Sequence, residues 1–308
     1  MKYLIFGSGF GLYGYLPALY KKYNAKVYLP IKYQQFLNSR KDIRRFYNKI
    51  FWYKKISNII KKINNIIIAV RPIDQYKICQ ISFLKKKTFF LEKPLANNPE
   101  NSLKLLNYLV KNNINFNIAY LFNYTNWSFR FKRKIKDSIF RSNNKSFKEF
   151  SITWRFKSEI FNNSWKLNSK KGGGIINFYG IHLISLLADL NYSLLRSIVF
   201  KNNADKLWLA TFSRPAYPKI NILLETSSNQ EEFSIEEISQ YKKKNIVFIK
   251  NPLSEKKKFV FKKKEHIDYR ANILIKYLYS KRKKLLFHKN VIFLWKEIMK
   301  NTKICYFN

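Results

Sequence analysis

All eight glycines of this 308-residue chain fall in two short segments, Gly7 to Gly14 and Gly172 to Gly180. Glycine lets backbone turn through positive φ and approach other groups closely. A chain that makes its remaining turns without glycine needs that geometry at these two places. The first segment reads as a nucleotide-binding turn between a strand and a helix. The second reads as the entry to an active-site helix.

The pattern between and beyond the glycines sets the fold class. Tyr3 to Phe6, Ala25 to Leu29, Asn65 to Val70, Thr88 to Leu91 and Asn115 to Tyr120 read as short apolar strands. The run NIIIAV is the unbroken β-branched type of a strand buried on both faces. Between them, helical patterns are expected at Tyr15 to Tyr23, Phe46 to Ile63, Asp74 to Leu84 and Pro99 to Lys111, the last opening on proline. Such alternation predicts an α/β doubly wound parallel sheet over residues 1–120. Over 121–308 the rhythm changes. Phe147 to Lys157, Ser197 to Asn202, Leu207 to Phe212, Ile220 to Thr226, Asn245 to Ile249 and Lys258 to Lys262 read as strands, with one long helix at Ile175 to Leu190. Helices are also expected at Asp268 to Ser280 and Asn290 to Lys300. This predicts an α+β domain with a large, mainly antiparallel sheet and helices on one face.

Composition narrows the function class. Sixty basic against eighteen acidic residues give a formal charge of +42. Forty-eight of the sixty are lysine, spread along the chain with abundant Asn, Ile, Phe and Tyr, which is the signature of A/T-rich codons. The charge predicts salt-dependent adhesion to polyanions. No helix-turn-helix, zinc-finger spacing or RNP-type strand accompanies it, so no specific nucleic-acid partner is expected. Five acids, Glu225, Glu231, Glu232, Glu236 and Glu237, crowd one stretch that reads as a solvated sheet face. Cys79 and Cys305 stand alone, without metal-ligand spacing. The longest apolar run, Ile175 to Leu190, contains His182 and Asp189 and is shorter than the roughly 20 residues a membrane span needs. With no signal-peptide pattern in MKYLIFGSG, the expectation is a soluble, cytoplasmic protein.

The chemistry-bearing residues stand at strand ends. Gly7, Ser8, Gly9, Phe10 and Gly11 follow the first strand and open a helix, the context a dinucleotide loop requires. The glycine register is imperfect, since counting from Gly7 puts Leu12 at the third glycine position. The acid that reads a ribose about 20 residues on is absent, for no acid appears before Asp42. Lys32 or Arg40 stands where a 2′-phosphate would sit, which leans toward NADP over NAD. Val70 ends the NIIIAV strand near the same place. Glu92 and Lys93 follow the strand FFL, at the edge where such folds bind ligands. A lysine there can hydrogen-bond a ribose hydroxyl and a reacting oxygen.

Together GSGFGLYG, IIIAVRPIDQY, FFLEKPLA and WKLNSKKGGGIINFYGIHLISLLADL resemble the Gfo/Idh/MocA oxidoreductases, the family of glucose–fructose oxidoreductase and inositol 2-dehydrogenase. The resemblance runs along nearly the whole chain. It implies a Rossmann domain followed by an open-faced sheet domain, NAD(P) as cofactor, and a sugar-type substrate between them. It further implies that Lys93 is the catalytic lysine, that Glu92 shapes the cofactor pocket, and that His182 exchanges the proton of the carbinol oxygen. A homo-dimer or homo-tetramer through the second-domain sheet is expected. Tyr120, Trp165 and Tyr179 are candidates for a sugar-facing wall. The form Phe-Tyr-Gly-Ile-His points to nucleotide-linked sugars in surface-polysaccharide synthesis.

One departure stands out. The family commonly carries an acid one helical turn before this histidine, and here that position is Phe178. Phe178, His182, Ser185 and Asp189 share one helix face, with Asp189 about 10 Å beyond His182. Either Lys93 and His182 suffice without the acid, or the chain is a catalytically silent relative that binds nucleotide or sugar as a partner or sensor.

Overall fold

The structure, a computed structural model, describes residues 1–23, 25–81, 84, 86–140, 148–158, 164–202, 204–239, 242–254, 268–281 and 283–307. The strand expected at Lys258 to Lys262 lies outside them. Two compact units form. Met1–Ala96, Asn101–Leu121 and Glu255–Lys283 make the first, and Asn97–Glu100, Phe122–Ser254 and Lys284–Asn308 the second. A late segment of the chain thus returns to the first unit, which a division at residue 120 does not capture.

In chain order the first unit contributes β1 (Lys2–Phe6), α1 (Leu16–Tyr23), β2 (Lys26–Pro30), α2 (Gln34–Ser39), β3 (Ile50–Tyr53), β4 (Asn65–Ile68), α3 (Pro72–Cys79), β5 (Thr88–Leu91), α4 (Pro99–Lys111) and β6 (Asn115–Ile118). The six strands form one sheet of order β3-β2-β1-β4-β5-β6, and every pair in it is parallel. Leu4, Ile5, Ile66, Ile67 and Ile68 are fully buried, as strands covered on both faces must be. The strand order reverses between β1 and β4, which makes their carboxyl ends the switch point where ligands bind in such sheets.

The helix expected over Phe46 to Ile63 does not form. Short 3₁₀ turns at Arg44–Lys49, Ile56–Asn58 and Ile60–Lys62 flank β3 instead. Ile50-Phe51-Trp52-Tyr53 is β-branched and aromatic, and it supplies ladder partners to Val27–Pro30 that would otherwise be an unpaired edge. The helix expected from Asp74 begins two residues earlier, with Pro72 in its first turn, where a missing N–H costs nothing.

The second unit adds α5 (Asn126–Phe140), β7 (Lys148–Lys157), α6 (Ile181–Asp189), β8 (Ser193–Lys201), β9 (Asp205–Ser213), β10 (Lys219–Glu225), β11 (Ser227–Ser239) and β12 (Lys242–Ile249). Helix α7 (Ala271–Tyr279) belongs to the first unit, and α8 (Leu285–Asn301) and β13 (Lys303–Tyr306) complete the second. The sheet order is β12-β11-β7-β10-β9-β8-β13. The β7–β10 and β8–β13 pairs are parallel and the other four antiparallel. The architecture is the expected parallel sheet plus a separate, mostly antiparallel one.

Helix α5 is absent from the sequence expectation. Trp127, Phe131 and Ile135, four residues apart, form its buried stripe, while its other positions carry most of its charge. Phe131 meets Phe150 at 5.5 Å and Trp127 meets Phe233 at 4.7 Å, so the helix closes over β7 and β11. Strand β11 is also unforeseen, and it places the acidic stretch in ion pairs rather than on a purely solvated face. Arg155 lies 3.3 Å from Glu225 and 3.8 Å from Glu232, and Lys134 lies 3.1 Å from Glu237.

The second glycine segment is a packing device. A Cβ on Gly173 would lie 2.4 Å from backbone atoms of Trp165 and Lys166, and one on Gly180 2.9 Å from the Trp208 ring. The chain therefore enters α6 pressed between a 3₁₀ turn and β9. We expect Gly173→Ala to destabilise the protein by about 1–3 kcal/mol through overpacking. A urea midpoint equal to wild type would show that the turn can yield.

Candidate functional site

In the first unit the candidate residues follow the carboxyl ends of five parallel strands, β1, β2, β4, β5 and β6. After β1 the chain turns through Gly7, whose φ is +117°, and a Cβ there would lie 2.1 Å from the Ala69 carbonyl oxygen. The Ala69 N–H donates to Phe6 O at 2.8 Å, so the two strand ends are tied where they come closest. A Cβ on Gly11 would meet Ile5 Cγ2 at 2.8 Å. Gly7 and Gly11 are thus fixed by packing. Gly9 differs: it is exposed, and a Cβ built on it meets nothing within 4 Å. Its backbone faces open space at the crest of the loop, which is the access a pyrophosphate requires. Ser8 lies beside it, half-buried, and Val70 follows β4 directly across the switch point.

Phe10 turns inward. Its ring packs on Tyr13 and Tyr15 at 5.4 and 5.3 Å, and the Arg270 guanidinium sits 4.3 Å from its centroid. Gly14 is required beneath it, since a Cβ there would lie 2.2 Å from the ring.

At the end of β2, Lys32 is exposed in the turn that follows, with its Nζ 5.8 Å from the Tyr33 ring centre. Tyr33 Oη in turn accepts the Gly7 N–H at 3.1 Å. Arg40 forms a two-pronged pair with Asp42 at 2.6 and 3.0 Å, which raises the guanidinium's affinity for its proton and neutralises its charge locally. Of the two basic candidates, Lys32 is the one that faces solvent without a carboxylate partner among these contacts.

Beyond β5 stand Glu92 and Lys93. Tyr15 Oη donates to Glu92 Oε1 at 2.6 Å, and the Lys93 N–H reaches Glu92 Oε2 at 3.3 Å. Burial pushes the Glu92 carboxyl above the usual range, against the lowering pull of the Tyr15 hydrogen bond and the nearby Lys93 charge. Gln75 on α3 is fully buried and bonds the same loop four times. Neither Tyr15 nor Gln75 carries a signal in the sequence beyond the helical spacing of its neighbours. Tyr120, just past β6, is 1% exposed, and burial raises its phenol.

The second unit holds the other candidates around the start of α6. Gly174 has φ +84°, and Asp205 Oδ2 accepts the Ile175 N–H at 3.1 Å, which satisfies one of the donors at the helix entry. Asn177 Oδ1 accepts from Trp295 Nε1 at 2.9 Å. Trp165 meets Phe178 edge-on at 5.7 Å, and Phe178 meets Tyr179 at 4.8 Å. The Lys166 Nζ stands 5.4 Å from the Phe178 ring centre. Tyr179 Oη is 3.2 Å from Ser158 Oγ. Phe178 is therefore part of an aromatic cluster topped by a cation.

His182 is 3% exposed and stacks on Phe122, with ring centres 4.8 Å apart and planes within 15°. The rest of that helix face is a polar relay. Ser185 Oγ donates to His182 O at 2.7 Å and accepts from Asn123 Nδ2 at 3.0 Å. Lys132 Nζ donates to Asn123 Oδ1 at 2.6 Å and pairs with Asp189. Asp189 is thus committed to Lys132.

No family model and no curated protein sequence matches the chain. Solved structures do match in fold. KijD10, a 3-ketoreductase from Actinomadura kijaniata solved with NADP and TDP-benzene, superposes with a TM-score of 0.68 at 9% identity, covering 100% of this chain and 99% of that one. The WlbA (WbpB) dehydrogenase from Thermus thermophilus, solved with NAD and α-ketoglutarate, gives 0.65 at 14% identity over 100% and 97%. A myo-inositol dehydrogenase from Corynebacterium glutamicum gives 0.67 at 9% identity over 98% and 96%. The chain has the two-domain fold of the Gfo/Idh/MocA-type oxidoreductases, the group its motifs resemble. Among the described residues no helix is long and apolar enough to cross a membrane.

Two measurements test this geometry. Gly9→Ala should change unfolding free energy by less than about 1 kcal/mol while weakening NAD(P)H binding at least about tenfold. Equal affinity would mean that no ligand approaches the loop crest. For Glu92, a folded-state pKa above the 4.5 of an ordinary glutamate means that the folded protein holds the proton more tightly than the unfolded chain. Its contribution to stability is full below that value and is lost as pH rises toward the folded pKa. Urea unfolding from pH 5 to 8 should therefore show a steeper loss of stability in wild type than in Glu92→Gln, and parallel curves would contradict the shift.

Proposed function

We propose that this protein is an NAD(P)-dependent oxidoreductase acting on a carbinol or ketone carbon of a sugar or nucleotide-linked sugar. The observation that carries the reading is the sheet edge of the first unit. There an open glycine crest follows β1, Val70 stands two residues past the end of the neighbouring β4, and Lys93 follows β5 next in order. The nucleotide-sugar part leans on the ligands of two structural neighbours, one solved with TDP-benzene and another with UDP-GlcNAcA.

When bound, the nicotinamide cofactor supplies or accepts the hydride. The loop of Gly7, Ser8, Gly9, Phe10 and Gly11, with the Gly7 N–H kept on Tyr33, would hold its pyrophosphate, and Lys32 would meet a 2′-phosphate, which favours NADP over NAD. Lys93 directs its ammonium donors at the substrate oxygen and polarises the carbon attached to it. His182 takes the proton of that oxygen in the oxidative direction and returns it in the reductive one, work that contributes about 10²–10⁴-fold to such rates. Glu92 shapes the pocket beside Lys93. Tyr120, Trp165 and Tyr179 offer aromatic faces to sugar C–H groups. The proposed setting is cytoplasmic surface-polysaccharide synthesis, with the chain acting as a homo-dimer or homo-tetramer through its seven-stranded sheet.

A second reading rests on Phe178, which stands in an aromatic cluster where the family's acid is expected. On that reading the protein binds nucleotide or sugar without turnover.

Titration with NADPH and NADH at about 300 mM salt, where bulk electrostatics are weak, followed by nicotinamide fluorescence with ATP as control, tests the first reading. Saturable micromolar binding that ATP does not mimic is expected, tighter for NADPH. Binding equalled by ATP would remove the oxidoreductase reading. With a keto-sugar nucleotide that is turned over, Lys93→Ala and His182→Ala should each lower kcat by about 10²–10⁴-fold, and His182→Ala should leave cofactor affinity nearly unchanged. Cofactor binding without consumption on any such substrate selects the silent reading.

A further inference from the structure

We propose that Gln75 is the positioning residue for Lys93: a single buried side chain that holds the backbone on both sides of it. The inference rests on the reading of Lys93 as the reacting lysine. Strand β5 ends at Leu91, so the backbone groups of the following loop have few ladder partners and must find others. Gln75 provides them from α3, with its side chain 0% exposed. Its Oε1 accepts the Glu92 N–H at 2.8 Å, a donor that also lies 3.2 Å from Ile68 O. Its Nε2 lies 3.0 Å from Glu92 O, 3.2 Å from Pro94 O and 2.9 Å from Leu95 O.

The peptide before Lys93 is thereby fixed at both ends. Its carbonyl is held by Gln75, and its N–H reaches Glu92 Oε2 at 3.3 Å, a carboxyl whose other oxygen is held by Tyr15 at 2.6 Å. Carbonyls of the two residues after Lys93 are held by the same amide. The lysine side chain is thereby launched from a set Cα–Cβ direction. The loop presents three acceptors and one donor, and a primary amide is the side-chain group that answers with both donor and acceptor atoms. An ionised carboxylate of the same shape would face three carbonyls with no hydrogen to give. A buried amide also carries a desolvation cost that an apolar residue on this helix would not.

The test uses the full chain and two variants, Gln75→Glu and Gln75→Met. Competitive acetylation of lysines, read by peptide mass spectrometry with and without NADPH, reports the exposure of the Lys93 amine against the other lysines of the same molecule. Circular dichroism and NADPH fluorescence report folding and cofactor affinity. In a folded variant we expect Lys93 to label several-fold faster than in wild type and to lose its protection by NADPH, while NADPH affinity stays within about threefold, less than 1 kcal/mol. In Gln75→Glu the labelling ratio to wild type should fall back toward one at acidic pH, where a protonated carboxyl again supplies a donor. A merely structural role would not produce that rescue. Where a turned-over substrate is in hand, kcat should drop about 10²-fold with KM for cofactor unchanged. Unchanged Lys93 labelling in a folded variant overturns the proposal. So does failure of both variants to fold, which would make Gln75 a requirement of the fold rather than a guide of the lysine. Absence of NADPH binding by wild type would instead remove the cofactor reading, and the labelling of Lys93 without NADPH would still decide the role of Gln75.

Discussion

The approach of Gly7 to the Ala69 carbonyl is the contact on which the first unit depends. Parallel pairing of β1 with β4 brings their carboxyl ends side by side, and the chain leaving β1 must then clear the chain leaving β4. No Cβ fits at Gly7, and its φ lies where an L side chain costs about 1–3 kcal/mol even with space around it. Because the turn is made there, Gly9 rises into open space and α1 starts directly behind it. Tyr15, at the head of that helix, then reaches Glu92 beyond β5. One backbone contact thus links the loop with the open crest to the acid beside the candidate lysine.

The second unit solves a different problem with the same residue type. Every residue of α6 from Ile181 to Ala188 is buried, so the helix is enclosed rather than amphipathic. Such a helix tolerates polar groups only when each is answered. Ser185 and Asn123 answer one another, and Lys132 answers Asp189. The arrangement buries His182 against Phe122, ring on ring. Phe178, one turn before it, lies in an aromatic cluster. The ring extends the cluster of Trp165 and Tyr179, and the charge of Lys166 lies over its face, where a ring quadrupole attracts it.

Much of this was legible in sequence because the signals were local. Runs such as NIIIAV have one buried destiny, and Pro99 marks the start of α4 at the residue expected. The failures came where tertiary partners outweighed local pattern. Ile56, Ile59, Ile60 and Ile63 suggest helical spacing, yet the aromatic run before them was worth more as an edge strand on β2. In α5 the stripe of Trp127, Phe131 and Ile135 was present but hidden among basic residues, which dilute its periodicity. Strand β11 is rich in Glu, a poor strand former, and it forms because Phe233 and Ile235 fill the core while the acids find Arg155 and Lys134. At the site, Lys93 and the glycine loop announced themselves by motif. Gln75 did not, since a buried glutamine acquires meaning only when the end of a strand is seen beside it.

The acids show how so basic a chain folds at all. Asp42, Asp74, Asp189, Glu225, Glu232, Glu237 and Asp268 each hold a specific cation, and Asp205 serves the entry to α6. Where carboxylates remain among the described residues, most of them have a local structural task. Lysine can accumulate around them because its ammonium stays hydrated on a flexible stem, and exposed like charges are screened within about 10 Å at moderate salt. A surface of this kind attracts any polyanion weakly and none selectively. Any selectivity for one anionic ligand must then come from a part of the molecule shaped by backbone rather than by charge. The exposed crest at Gly9, braced by the packed Gly7 and Gly11 at the switch point of the sheet, is such a part.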